Sequence, residues 1–139
     1  MSSKRIARLS FSAFLALGVA TAALAGPPAA IPNPDPAHQR AERSFDEFAK
    51  GWMQKMARLE SQNRAKPTLV ANVASYRGYD DDYVIELKPT GSPTAPWVGI
   101  LRYHELTYTC ADQSTASCAP SKKMRVTEIF RFQGGKWVY

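Results

Sequence analysis

Arg102, His104 and Glu128 are the residues of this 139-residue chain whose types could do chemistry together. A histidine beside a carboxylate can move a proton near neutral pH, and an arginine next to them can hold an anion. Strict alternation over Trp97–Cys110 puts Val98, Ile100, Arg102, His104, Leu106, Tyr108 and Cys110 on one face of a strand. The same rule groups Met124, Val126, Glu128, Phe130 and Phe132 on the strand that follows. If both sets turn toward a helix, Arg102, His104 and Glu128 form a polar layer in a largely apolar groove. If a bulge near Gly99 intervenes, Arg102 and His104 turn to solvent and the layer is lost. No serine elbow, second active-site histidine or metal-spaced cluster accompanies the three, so the sequence implies neither a cofactor nor a metal, and more a binding protein than an enzyme.

The opposite face carries Leu101, Tyr103, Glu105 and Thr107, with Arg125, Thr127, Ile129 and Arg131 from the neighbouring strand. Aromatic, aliphatic and arginine side chains interleaved in this way suit an interaction surface, although sheets that bind nothing carry such faces too.

The stretch that must position all of these is WVGILRYHELTYTC, Trp97–Cys110, fourteen residues without proline and rich in β-branched and aromatic types. As one strand it reaches roughly 45 Å, long enough that it must bend, and Gly99 is the expected hinge or bulge. A helix precedes it. Asp35-Pro36 is an N-cap followed by a first-turn proline, and Ala41, Phe45, Phe48, Trp52, Met56 and Leu59 recur at intervals of three and four until Lys66-Pro67. That helix would run about 40 Å, close to the length of the long strand.

Leu69–Arg77 and Tyr83–Lys88 read as strands around the turn Gly78–Asp82. The three aspartates of that turn lack the spacing of a calcium loop. Pro89–Pro96 reads as a stiff loop, Lys123–Gln133 as a further strand, and Gly134-Gly135 as a two-residue hairpin turn returning through Trp137–Tyr139. The expected fold class is α+β: one long helix packed on a curved antiparallel sheet of four to five strands.

Composition bounds the partners. The formal charge is +6, but Lys4, Arg5 and Arg8 precede an apolar run, Leu9 to Ala25, that ends in the A-x-A pattern Ala23-Leu24-Ala25. Residues 1–25 therefore read as a signal for the general secretory route, giving a mature chain that starts at Gly26 and is periplasmic or secreted. Residues 26–34 read as a Pro/Ala linker and 35–139 as a single domain. Without the signal the chain carries 15 Lys/Arg against 12 Asp/Glu, net +3. That is solubility charge and not a nucleic-acid footprint, and contact with the membrane is expected only through the signal segment before cleavage. Cys110 and Cys118, the only cysteines, have seven residues between them, which suits a structural disulfide in an exported chain better than a two-residue redox spacing.

Two resemblances add to this. Trp97-Val98-Gly99-Ile100-Leu101-Arg102-Tyr103 with Glu105, Tyr108 and Cys110, then Val126-Thr127-Glu128-Ile129-Phe130-Arg131-Phe132 and Gly134-Gly135-Lys136-Trp137-Val138-Tyr139, resembles small exported bacterial proteins of uncharacterised function, over about a third of the chain. The order of elements resembles the cystatin-like fold. The Gln-x-Val-x-Gly turn of cystatin inhibitors is not matched by Val70-Ala71-Asn72-Val73-Ala74, so the resemblance implies a fold and not protease inhibition. The functional expectation is an exported, non-catalytic binding module for a protein partner. The alternative is a small-ligand or minor enzymatic domain using Arg102, His104 and Glu128.

Overall fold

The computed structural model describes residues 35–139; the expected signal (1–25) and linker (26–34) lie outside the described residues. Helix α1 (Pro36–Ala65) starts where its cap residues place it. The Asp35 carboxylate accepts from the Ala37 N–H at 3.1 Å, and Pro36 occupies the first turn, where its missing N–H costs nothing. Thirty residues later the Lys66 N–H donates back to the carbonyls of Gln62 and Asn63, and Pro67 prevents continuation. The face turned inward carries Ala41, Phe45, Ala49 and Met56, flanked by half-buried Phe48, Trp52 and Met53. Leu59, expected on this stripe, is exposed, because the last turns hold the sheet through polar groups instead. Glu60 accepts from the Tyr79 N–H, and Asn63 donates to the Arg77 carbonyl, both at 2.9 Å.

Six antiparallel strands form one sheet that curls along α1: β1 (Thr68–Val70), β2 (Val73–Tyr79), β3 (Val84–Pro89), β4 (Trp97–Cys110), β5 (Cys118–Gln133) and β6 (Lys136–Val138). β4 is the spine. β3 pairs with its first half and β2 with its second half on one side, while β5 runs beside it along the other. The helix follows the spine from end to end. His38 meets Trp97 edge-on at 5.0 Å at one end, and Glu60 reaches Tyr79 at the other. The 22 residues from His38 to Glu60 cover about 33 Å of helix, and the strand from Trp97 to Tyr108 covers about 36 Å.

The structure corrects three local expectations. Leu69–Arg77 is not one strand but the hairpin β1–β2, turning through Ala71 (φ 48°) and Asn72 (φ 62°), so the sheet has six strands. The left-handed backbone usually announces itself by glycine. Asn adopts it readily, and Ala71 does so at a cost of roughly 1–2 kcal/mol. The turn is docked on the disulfide loop: Asn72 accepts from the Gln113 amide at 3.3 Å, and the Ala74 N–H donates to the Asp112 carbonyl at 2.9 Å.

Second, Gly99 is neither hinge nor bulge. The ladder passes through it without a break on both sides, Leu87 opposite it on β3 and Phe130 on β5. It is glycine because Phe45 lies directly over it, and any Cβ there would overlap the phenyl ring. Third, the bulge sits at the far end of the spine. Cys110 faces Cys118 and Tyr108 faces Pro120, but Thr107 faces Lys122, leaving Ser121 as the extra residue. Its hydroxyl donates to the Thr107 carbonyl at 3.1 Å and lies 2.7 Å from the Thr109 hydroxyl, which holds the irregularity in place. Cys110 and Cys118 are disulfide-bonded across this neck. Gly134 and Gly135 take the positive φ values, 58° and 76°, that their hairpin requires.

Candidate functional site

A one-residue shift at Ser121 decides which side chains meet. From Cys110 to Tyr108, even-numbered residues of β4 face even-numbered residues of β5; from Thr107 back to Trp97, even faces odd. Leu101 lies opposite Glu128, Tyr103 opposite Val126, Arg102 opposite Thr127 and His104 opposite Arg125. The helix covers the first two pairs. Leu101 is fully buried, and Tyr103 and Phe130 are nearly so. The layer of Arg102, His104 and Glu128 is therefore split, with Glu128 beneath the helix and Arg102 and His104 on the other side of the sheet. The expected interaction face is split as well: Leu101 and Tyr103 belong to the core, while Arg125, Ile129 and Arg131 stand on the open side.

Under the helix, Glu128 is fixed between two phenols. The Tyr103 hydroxyl donates to one carboxylate oxygen at 3.1 Å and the Tyr139 hydroxyl to the other at 2.5 Å. The Tyr139 ring stacks on Trp52 at 6.2 Å between centroids. Burial, with the Glu128 charge in support, pushes the Tyr103 hydroxyl up to about 12, and Glu128 also raises Tyr139. The buried Trp52 indole nitrogen has no hydrogen-bond partner among the described residues, although it lies near enough to the Tyr103 oxygen to offset part of that rise. Two protonated phenols, each donating a hydrogen bond to one carboxylate, make a structural clasp.

The open side is organised differently. Across β3, β4, β5 and β6 the ladder sets out rows: Lys88, Val98, Arg131 and Val138; Glu86, Ile100 and Ile129; Val84, Arg102 and Thr127; His104 and Arg125. Val84 and Ile129 are more than half exposed, at 63% and 55%, and no described element covers them. Around this aliphatic centre stand Lys88, Arg102, Lys123, Arg125, Arg131 and Lys136 against the single carboxylate Glu86, an excess of +5, or +3 with Asp80 and Asp82 at the rim. Residues 35–139 carry +3 altogether, so the whole net charge of the described chain resides on this side.

Some of these charges are spoken for. Glu86 takes Arg102 at 2.9 Å and Lys88 at 3.0 Å, and both cations hold its carboxyl below the usual range. Lys123 reaches Asp80 at 2.6 Å, with the same effect on that carboxyl. Arg125 and Arg131 have no ion-pair partner among the described residues. A cleft of about 520 Å³ opens where this face meets the Asp80–Val84 turn, lined by Tyr83, Arg102, His104, Lys123 and Arg125 among others. His104 thus reaches a cleft, but one whose acids, Asp80 and Asp82, come from the turn and not from Glu128. No group of three or more His, Cys, Asp or Glu among the described residues is arranged to hold a metal.

The sequence held two signals for this division. Arg102 and His104 in succession on one side of a strand argue for solvent on that side. A glycine at 99, in phase with Leu101 and Tyr103, argues for a helix close against the other. Comparison with protein-family models, with curated proteins and with solved structures found no match.

Proposed function

We propose that this chain is an exported, non-catalytic binding module that engages a protein partner through the open side of β3–β6. The observation that carries the reading is the combination on that side of uncovered aliphatic residues, Val84 and Ile129, with the entire net positive charge of residues 35–139. Desolvating the aliphatic centre supplies affinity, and the arginine rim supplies orientation and rate of encounter. Export rests on the sequence signal and is supported by the disulfide, which persists in oxidising compartments. The order of one helix followed by antiparallel strands supports a cystatin-like arrangement without implying inhibition of proteases.

A paired substitution separates this reading from a catalytic or small-ligand role for the cleft. Ile129→Asp with Arg131→Glu alters the open side, whereas His104→Ala alters the cleft. Loss of partner capture with the first pair and retention with His104→Ala is the expected outcome. Turnover or small-molecule binding that vanishes with His104→Ala, with capture unaffected by the first pair, would replace the proposal with the small-ligand reading.

A further inference from the structure

The outer edge of β5 is open for most of its length. β6 pairs only with Arg131–Gln133, and no other described strand borders Cys118–Phe130 on that side. From Ala119 to Arg125 every residue is exposed whichever way it points, so neither the helix nor a loop covers this part of the strand on either face. A strand here presents a row of unpaired backbone donors and acceptors, which is the template that strand addition uses. Its side chains are strongly biased. Lys122, Lys123 and Arg125 cluster on it without an acidic neighbour on β5 until Glu128. Lys122 and Arg125 have no ion-pair partner among the described residues, and they point to opposite faces of the strand.

We infer that this edge accepts an extended acidic peptide segment of the partner, which pairs with residues 119–129 as an added strand in line with β6. This rests on the interaction-module reading and names the partner's chemistry. Charge decides the occupant. A second copy of this chain pairing edge to edge about the cationic stretch would set Lys122, Lys123 and Arg125 against one another, and like charges directly opposite are destabilising. Lysines and Pro120 blunt the edge toward itself and toward neutral strands. They do not blunt it toward a strand with glutamates or aspartates on both faces, which would meet Arg125 on one side and Lys122 on the other. Beyond the cations, Val126 and Ile129 offer an apolar row on each face, so the fitting segment is acidic at one end and aliphatic at the other.

The test uses the disulfide-bonded chain from residue 26 and two capped peptides of about twelve residues. In one, a run of consecutive glutamates, which fall on both faces of a strand, is followed by valines and threonines; in the other, lysines replace the glutamates. The glutamate peptide is expected to bind, to slow hydrogen exchange at alternate amides of 119–129, and to bind at least about tenfold more tightly than the lysine peptide. Lys122→Glu with Arg125→Glu is expected to reverse the preference, and Lys122→Gln with Arg125→Gln to abolish it. The glutamine pair keeps the question open to decision if the reversed pair folds poorly. Absence of binding at millimolar peptide, equal binding of both peptides, or self-association of the chain through this edge would overturn the inference. Shifts confined to Val84, Arg102 and Ile129 with unprotected β5 amides would overturn it while leaving the open-side reading intact.

Discussion

Gly99→Ala is expected to be among the costliest single methyl additions in this protein. The Phe45 ring occupies the space a Cβ would need, and Phe45 cannot retreat. It is 1% exposed and hemmed by Trp137 at 4.6 Å, Phe48 at 6.1 Å and Phe130 at 6.2 Å between ring centroids. Relief requires the helix to lift or the ring to leave its rotamer, and overpacking of this kind costs about 1–3 kcal/mol. The enclosure places Gly99→Ala at the upper end. Urea unfolding followed by tryptophan fluorescence should show a midpoint lower by about 1 M with an unchanged slope. Phe45→Leu removes part of the ring, so the double variant should lose less than the sum of the two single variants by roughly 1 kcal/mol or more. A loss below about 0.5 kcal/mol for Gly99→Ala, with additive behaviour in the cycle, would show that Gly99 serves as a hinge and that α1 does not cross the spine at Phe45.

Other outcomes follow from single features. Ala71→Gly should stabilise the protein by roughly 0.5–1 kcal/mol, because Ala71 holds a left-handed backbone that glycine adopts freely; a destabilised variant in thermal unfolding would contradict the β1–β2 turn. Denatured, unreduced protein should show no free thiols, and Cys110→Ala with Cys118→Ala should cost about 2–3 kcal/mol in the same assay, since closing a short loop restricts the unfolded chain. Because the folded-state value of Tyr103 lies above that of an unfolded tyrosine, the stability it contributes is fully present below pH 10 and is lost as pH rises toward about 12; Tyr103→Phe should flatten that alkaline decline, and an unchanged decline would remove the clasp as its cause.

Much of the architecture was legible because it rests on strong local signals. Asp35-Pro36 and Lys66-Pro67 bracket the helix, alternation and β-branched residues mark Trp97–Cys110, and Gly134-Gly135 marks its hairpin. The turn at Ala71-Asn72 carries no glycine, and with Val70 and Val73 on either side it reads as continuous strand. The site was legible only in part, because face assignment depends on register, and register here depends on one serine. Counting alternation inward from Cys110 and Cys118 is correct for three pairs, and Ser121 then inverts it. Nothing in the type of residue 121 announces a bulge. Ser121 holds one because Thr107 and Thr109 on the neighbouring strand supply partners for its hydroxyl. Arg102 and His104 line one cleft, whereas Glu128, which alternation groups with them, lies on the helix side of the sheet.

The most direct measurement is site-specific photo-crosslinking in cells that produce the protein natively, with the reactive residue placed in turn at Val84, Ile129, Arg43 and Glu47. The first two stand on the open side of the sheet, and the last two on the solvent side of α1. A discrete adduct with one protein from positions 84 and 129, absent from 43 and 47 and lost on Arg125→Glu with Arg131→Glu, is the expected result. Adducts from the helix positions alone, or from the sheet positions without dependence on the arginines, would contradict binding through the open side.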